Sequence, residues 1–240
     1  MSDKKVDASV NDAIRGQLAD NLHRVQDRVS ATAHRSGRSY DDILLVTVSK
    51  TRPSSLVQAA VDAGASILGE NRVQEAQGKV SNVSGSPSWH LVGHLQRNKA
   101  RLAVSLFDTI QSVDSLRLAK EIGRYAADEG KKVSIQLQVN TSGEVSKFGV
   151  EPDNLDALVE GVIDIEGLSV NGLMTIAAHT EDEQTVRRCF VMLRDLRDRI
   201  AVKVPSIRHL SMGMTGDFEV AIEEGATIIR VGTAIFGKRN

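Results

Sequence analysis

The chain has 240 residues, of which 41% are hydrophobic, enough for the core of one large domain or two small ones. Its 30 lysines and arginines nearly balance its 31 aspartates and glutamates, so no net charge attracts nucleic acid or a membrane surface. It contains no apolar run long enough to span a membrane, and its single cysteine, Cys189, excludes an internal disulfide and fits a reducing, cytoplasmic compartment.

Strand-like and helix-like segments alternate along the chain. Residues 1–8 are polar, lack the apolar core of a signal peptide, and are expected to be disordered. Apolar residues within 10–38 recur at helical spacing, which predicts a first helix. Eight apolar segments with the length of strands follow it, and they comprise residues 43–50, 66–71, 88–95, 107–113, 132–140, 172–177, 207–214 and 227–236.

The order of these segments predicts the fold class. Eight strands that alternate with helices in a chain of this length indicate a single (β/α)8 TIM barrel with an extra N-terminal helix. An open doubly wound sheet is the rival, but no glycine-rich turn follows the first strand. No linker or low-complexity tract interrupts the sequence, so residues 1–240 are expected to form one domain. In such barrels the active site lies at the carboxyl ends of the strands.

The predicted strand ends carry an amine and several small polar residues. Lys50 ends the most apolar strand, although a lysine there more commonly extends into solvent. Ser211, Gly232 and Thr233 end the last two strands, where barrels often bind phosphate through N–H and hydroxyl groups. An amine beside a phosphate site fits a phosphorylated aldehyde held as a Schiff base, and pyridoxal 5′-phosphate is the obvious such ligand.

Arg230 lies among isoleucine and valine in the eighth strand, where a charge is costly unless it is compensated. It either faces the pyridine nitrogen of the ligand or pairs with a buried carboxylate, for which Glu70 is the candidate. Because arginine only donates hydrogen bonds, it would keep the ring nitrogen unprotonated and weaken the cofactor as an electron sink. Asn71 either caps the helix after the second strand or contacts the ligand.

Eight blocks of the sequence, in order, resemble the pyridoxal phosphate homeostasis proteins, also called the YggS-like or PROSC family. The blocks are residues 49–51, 69–75, 89–99, 112–114, 138–149, 172–174, 210–217 and 230–237. The resemblance implies a barrel of the alanine-racemase N-terminal type that binds pyridoxal phosphate. The chain departs from the family pattern at Arg72, where tyrosine is usual, and at Arg52, where lysine is usual.

The resemblance also implies a role for each residue of the site. Lys50 becomes the Schiff-base lysine, Arg230 faces the pyridine nitrogen, and Asn71 lies near the ring. The phosphate is held by the remaining three candidates, which are Ser211, Gly232 and Thr233. Lys147, in the block that follows the fifth strand, becomes a candidate second amine near the cofactor.

The sequence favours a carrier over an enzyme. Racemisation needs an acid or base on each face of the cofactor, and Lys50 serves only one face. Neither Tyr40 nor Tyr125 falls at a predicted strand end, and the sequence reaches Asn240 without the second domain of the two-domain racemases. We expect a monomer that buffers pyridoxal phosphate and delivers it to apo-enzymes, with an amino-acid racemase as the alternative. An interaction module without a ligand would tolerate substitution of Lys50.

Overall fold

A computed structural model describes residues 12–238, in which eight parallel strands form one closed barrel in sequence order. The predicted barrel with an extra N-terminal helix is therefore confirmed, whereas residues 1–8 lie outside the described residues. The strands are β1 (Leu44–Val48), β2 (Ile67–Glu70), β3 (Ser88–Leu91), β4 (Thr109–Val113), β5 (Val133–Gln138), β6 (Leu168–Met174), β7 (His209–Ser211) and β8 (Ile228–Val231).

Helices cover the outside of the barrel. They are α1 (Asp12–Arg35), α2 (Ser54–Asp62), α3 (Val73–Val80), α4 (Ala100–Leu106), α5 (Leu116–Asp128), α6 (Leu155–Val162), α7 (Glu183–Ala201), α8 (Phe218–Glu223) and α9 (Thr233–Phe236). The helix α1 precedes the barrel and packs against α2, α8 and α9, so it covers the region where β1 meets β8. Within residues 12–238, no helix combines the length and apolar character needed to cross a membrane.

Successive side chains along each strand point alternately to the helical layer and to the barrel interior. Along β5, Val133, Ile135 and Leu137 belong to the main hydrophobic core under the helices. A separate small cluster of Val46, Val92 and Ile228 packs inside the barrel. Gly69 lies beside that cluster, since a Cβ atom at this position would be 2.7 Å from Cγ1 of Val46.

All eight strands differ from their predicted bounds, and two of the larger differences involve glycine residues. The eighth strand was predicted over 227–236 but ends at Val231, and Thr233–Phe236 forms α9. At Gly232 the chain leaves the sheet and packs closely on β1, since a Cβ atom there would lie 2.9 Å from the carbonyl oxygen of Val48. The sixth strand was predicted over 172–177 but spans Leu168–Met174, so Gly172 is an internal residue, and it packs closely on His209 of β7.

Candidate functional site

A cleft of about 810 Å³ opens at the carboxyl ends of the barrel strands. It lies where the fold predicts an active site, and six of the seven residues predicted from the sequence line it: Lys50, Asn71, Lys147, Arg230, Gly232 and Thr233. Ser211, the seventh, lies below the cleft with no exposed surface. The barrel therefore brings together two amines, one buried guanidinium and a glycine-containing turn from distant parts of the chain.

Lys50 follows β1 and its side chain is exposed in the cleft. Because side chains alternate along the chain, Val48 and Lys50 face the barrel mouth whereas Ser49 points to the helical layer. Ser49 is fully buried, and its hydroxyl donates a 2.6 Å hydrogen bond to Oε1 of Glu70. The main chain just before Lys50 is thus attached to β2 outside the barrel.

Glu70 is paired with a lysine and not with Arg230. Its Oε1 lies 2.7 Å from Nζ of Lys79, and both side chains are buried. Burial raises the pKa of the Glu70 carboxyl, and the hydrogen bonds from Lys79 and Ser49 oppose this rise. The interpretation of Arg230 as the partner of Glu70 is therefore wrong.

The guanidinium of Arg230 lies at the floor of the cleft. The residue is 5% exposed, and its Nη2 donates to the carbonyl oxygen of Thr175 at 2.8 Å. Burial lowers its pKa to about 10, an effect that Asp217 opposes, so the group remains protonated at neutral pH. A charged donor is therefore fixed at the bottom of the cleft.

A chain of hydrogen bonds crosses the barrel interior below this guanidinium. Nη1 of Arg230 donates to Oγ of Ser211 at 2.6 Å, and Ser211 donates to Oε1 of Gln111 at 2.7 Å. Nε2 of Gln111 lies 2.9 Å from Nδ1 of His90. Burial lowers the pKa of His90 to about 4, so the ring is neutral near pH 7 and its Nδ1 accepts from the amide. Both hydrogen-bonding functions of Ser211 are therefore used within the barrel.

The turn between β7 and α8 provides residues that the sequence analysis did not assign to the site. Met214, Thr215, Gly216 and Asp217 line the cleft beside Arg230. Oδ1 of Asp217 accepts from the N–H of Met214, and burial raises the pKa of the Asp217 carboxyl. The signal was the block of residues 210–217, in which the sequence analysis gave a role only to Ser211.

Asn71 lines the cleft just after β2 and is half-buried. The helix α3 begins at Val73 with Arg72 at its N-cap position, so Asn71 is not the N-cap residue. A Cβ atom at Gly93 would lie 2.3 Å from the carbonyl oxygen of Asn71. The glycine after β3 thus permits the close packing that holds Asn71 at the rim.

The loop after β5 brings Lys147 to the cleft and contacts the chain on both sides of that residue. Nζ of Lys147 donates to the carbonyl oxygen of Ala177 at 2.8 Å and lies 2.7 Å from Oε1 of Glu144. The hydrogen bond from Lys147 is the main cause of the lowered pKa of the Glu144 carboxyl. On the other side, the ring of Phe148 stacks on His94 with centroids 3.8 Å apart. The amine of Lys147 therefore lines the cleft while it is held by two oxygen atoms.

Arg52 has a structural partner in the C-terminal segment. Its guanidinium donates to the carbonyl oxygens of Gly237 and Lys238, and it lies 6.0 Å from the centroid of the Phe236 ring. These contacts hold the end of α9 beside the cleft. An arginine at this position thus anchors the turn that follows Gly232.

Comparisons with known proteins agree with this architecture. The family described as alanine racemase, N-terminal domain, matches residues 17–240. The pyridoxal phosphate homeostasis protein of Aquifex aeolicus is 40% identical over 220 residues, which cover 91% of this chain and 96% of that protein. The protein of the same name from Escherichia coli (strain K12) is 39% identical over 232 residues, with 93% and 97% covered. The structure of PipY from Synechococcus elongatus with PLP bound is similar with a TM-score of 0.80 and 35% identity, over 92% of this chain and 100% of that chain.

Proposed function

This chain belongs to the pyridoxal phosphate homeostasis protein family, and we propose that it binds pyridoxal 5′-phosphate and buffers the intracellular supply of this cofactor. The observation that carries the proposal is the exposed amine of Lys50 in the same cleft as the buried guanidinium of Arg230. When bound, the cofactor supplies an aldehyde that condenses with a lysine amine.

The residues of the cleft fit such a ligand. A phosphorylated pyridine needs an amine for the aldehyde, N–H or hydroxyl donors for the phosphate, and a partner for the ring nitrogen. In the cleft, Lys50 offers the amine for the aldehyde, and Arg230 offers the partner for the ring nitrogen. Donors for the phosphate come from the turn of residues 214–217 and from Gly232 and Thr233. The three groups come from β1, β7 and β8, which are neighbours in the closed barrel.

We assign the roles as follows. Lys50 is the amine that forms the Schiff base, and Asn71 contacts the ligand from the rim. Gly232 and Thr233, with the turn of residues 214–217, hold the phosphate, and Lys147 is a candidate second amine. Ser211 contributes through Arg230, because its hydroxyl accepts the guanidinium N–H.

A carrier is a better fit than a racemase. Arg230 donates to the hydroxyl of Ser211 and to the carbonyl oxygen of Thr175, and these two hydrogen bonds fix its orientation. Because a guanidinium has no acceptor, it can only donate to a ligand in the cleft. A ring nitrogen that faces such a donor stays unprotonated, which disfavours carbanion chemistry. We therefore propose little or no catalytic turnover, with an amino-acid racemase as the alternative.

Borohydride reduction followed by peptide mass spectrometry tests the attachment site. The protein incubated with pyridoxal 5′-phosphate is expected to absorb visible light, to lose this band on reduction, and to carry the pyridoxyl group on Lys50. Lys50→Ala is expected to lack the band, whereas Lys120→Ala on α5 serves as the matched control. A pyridoxyl group found on Lys147 instead of Lys50 in the wild type would refute the assignment of Lys50 as the Schiff-base lysine. Loss of optical activity from L-alanine at enzyme-like rates would favour the racemase.

Delivery of the cofactor requires a separate experiment. We propose that the protein acts as a cytoplasmic monomer of one domain, and that it transfers pyridoxal phosphate to apo-enzymes. The buried free thiol of Cys189 fits a reducing compartment. The loaded protein is mixed with an apo-enzyme and with a phosphatase that destroys free pyridoxal phosphate. If transfer is direct, the apo-enzyme should regain activity faster than spontaneous release of the cofactor into solution allows. Equal rates with Lys50→Ala and wild type would contradict delivery.

A further inference from the structure

The two peptide groups that flank Lys50 are both held by side chains of α3. The carbonyl oxygen of Ser49 accepts a 2.7 Å hydrogen bond from Nζ of Lys79. On the other side of Lys50, the N–H of Thr51 donates to Oε1 of Glu75. The same Glu75 oxygen lies 2.8 Å from Nζ of Lys79. One ion pair thus bridges the main chain before and after Lys50.

The conformation of Thr51 indicates that this attachment constrains the backbone. Its φ is 62°, in the left-handed region, which β-branched residues rarely adopt. Such a conformation persists only where the surrounding structure enforces it. The hydrogen bond to Glu75 provides that enforcement directly at the residue after Lys50.

The ion pair lies outside the barrel wall and does not face the cleft. The side chains of Lys79 and Glu75 are 6% and 24% exposed, and Nζ of Lys79 also lies 2.7 Å from Oε1 of the fully buried Glu70. Ser49 and Glu70 point to the helical layer, whereas Lys50 points to the cleft. Lys79, Glu70 and Glu75 do not line the cleft, and Lys79 and Glu75 contact the main chain that flanks Lys50.

A purely stabilising role is an insufficient explanation for these buried charges. Desolvation offsets much of the attraction in a buried ion pair, and apolar side chains of similar volume often stabilise a protein as well or better. What apolar side chains cannot provide is a donor for the Ser49 carbonyl and an acceptor for the Thr51 N–H. The geometry of these two contacts is what the ion pair adds.

We propose that Lys79 and Glu75 are positioning residues that set the direction of the Lys50 amine in the cleft, an inference that rests on the proposed function of Lys50. Misplacement of a reacting group by about 1 Å can reduce a rate on the order of a hundredfold. Loss of the attachment should therefore slow the condensation of pyridoxal 5′-phosphate with Lys50 by about tenfold or more, and should loosen the orientation of the bound chromophore.

Two pairs of variants test this proposal with the full chain. Glu75→Leu removes the acceptor for the Thr51 N–H, whereas Glu75→Gln keeps an oxygen there and is the conservative control. Lys79→Met combined with Glu70→Gln removes the donor to Ser49 without leaving the fully buried carboxylate unpaired. Near-ultraviolet circular dichroism and thermal unfolding establish that each variant is folded, and the Glu75 pair decides the question if the double variant is unfolded.

The first readout is the rate of visible-band formation with pyridoxal 5′-phosphate. The second is the visible circular dichroism of the unreduced protein, divided by the amount of Lys50 adduct found after reduction of a parallel sample. We expect Glu75→Leu and the double variant to load about tenfold more slowly with a weaker dichroic band, and Glu75→Gln to stay within about twofold of wild type. Loading at wild-type rates with an unchanged dichroic band in folded variants would overturn the positioning role and leave the cofactor function intact. A wild-type protein that never loads on Lys50 would overturn the proposed function, and the positioning role with it.

Discussion

The guanidinium of Arg230 donates to the hydroxyl of Ser211 at 2.6 Å, across two adjacent strands of the barrel. This hydroxyl in turn donates to Gln111, whose amide nitrogen faces His90. The directions are mutually dependent, because a neutral His90 accepts from the amide nitrogen and so turns the amide oxygen toward Ser211. The orientation of the charged donor below the cleft is thus set from the opposite side of the barrel.

Ser211→Ala should destabilise the protein because it leaves the amide oxygen of Gln111 and one N–H of Arg230 without their buried partner. We expect a loss of about 1–3 kcal/mol in the free energy of unfolding, measured by urea denaturation. Ser105→Ala is the control, since the exposed Ser105 hydroxyl donates to the carbonyl oxygen of Leu102 in its own helix. Equal stability of the two variants would contradict a linked chain of hydrogen bonds.

Acid should weaken the fold through His90. Its folded pKa is about 4, whereas a histidine in an unfolded chain titrates near 6.5. Between these values the unfolded chain binds a proton that the folded protein does not, so stability decreases as the pH falls from about 6.5 toward 4. The full difference corresponds to roughly 3 kcal/mol.

Urea denaturation between pH 6.5 and pH 5 measures this effect before most carboxyl groups titrate. His90→Gln should flatten the decrease in unfolding free energy over this range. His23→Gln, at an exposed position on α1, should retain the wild-type slope. A slope that is unchanged by His90→Gln would mean that His90 is not responsible for the acid sensitivity.

The sequence predicted the parts of the site that depend on position along a strand. Lys50 ends an apolar run, and the carboxyl ends of barrel strands are where active-site residues lie. The role of Ser211 depended instead on which residue of 207–214 ends the strand and on a partner 100 residues away, Gln111. Sequence periodicity carries no information about such a partner, because the hydrogen bond forms only after the barrel closes.

The same limit explains why Lys79 was missed. It belongs to a helical segment with an ordinary charged pattern, and nothing near it in the sequence shows that it is 5% exposed. Its burial follows from the packing of α3 on β2, which brings it to Glu70 and to the main chain beside Lys50. By contrast, Gly232 was predicted at the site because its place beside Thr233 in the last apolar segment is visible in the sequence.

Gly232→Ala should test whether the close approach of β8 to β1 shapes the cleft. The new Cβ atom would lie 2.9 Å from the carbonyl oxygen of Val48, a main-chain atom that cannot move independently. We expect a loss of about 1–3 kcal/mol in unfolding free energy. Gly78→Ala in α3 meets nothing within 4 Å and should instead stabilise the protein by up to about 1 kcal/mol. An unchanged free energy of unfolding in Gly232→Ala would show that α9 can shift to make room for the new methyl group.

Arg52→Met should loosen the C-terminal segment beside the cleft. The variant loses the hydrogen bonds to the carbonyl oxygens of Gly237 and Lys238, while the helical bonds of α9 remain. In the wild type, the contacts of Arg52 with Gly237 and Lys238 oppose local opening of the end of α9. Without them, hydrogen exchange of the Phe236 and Gly237 amides should become faster. Arg101→Met on the exposed face of α4 is the control, and equal exchange in both variants would exclude Arg52 as an anchor.

Release of the ligand should depend on the contact between Phe148 and His94. The loop that carries Lys147 is held on one side by the Ala177 carbonyl and on the other by this ring stack. Phe148→Ala removes an aromatic contact worth about 0.5–1.5 kcal/mol, so pyridoxal 5′-phosphate should dissociate up to about tenfold faster. Val145→Ala is the control, since Val145 lies in the same loop and is 100% exposed. The dissociation rate is measured with an apo-enzyme that traps the released ligand. If the loop must open for release, Phe148→Ala should release the ligand faster than Val145→Ala does. Identical rates would mean that the ligand leaves without displacing the loop.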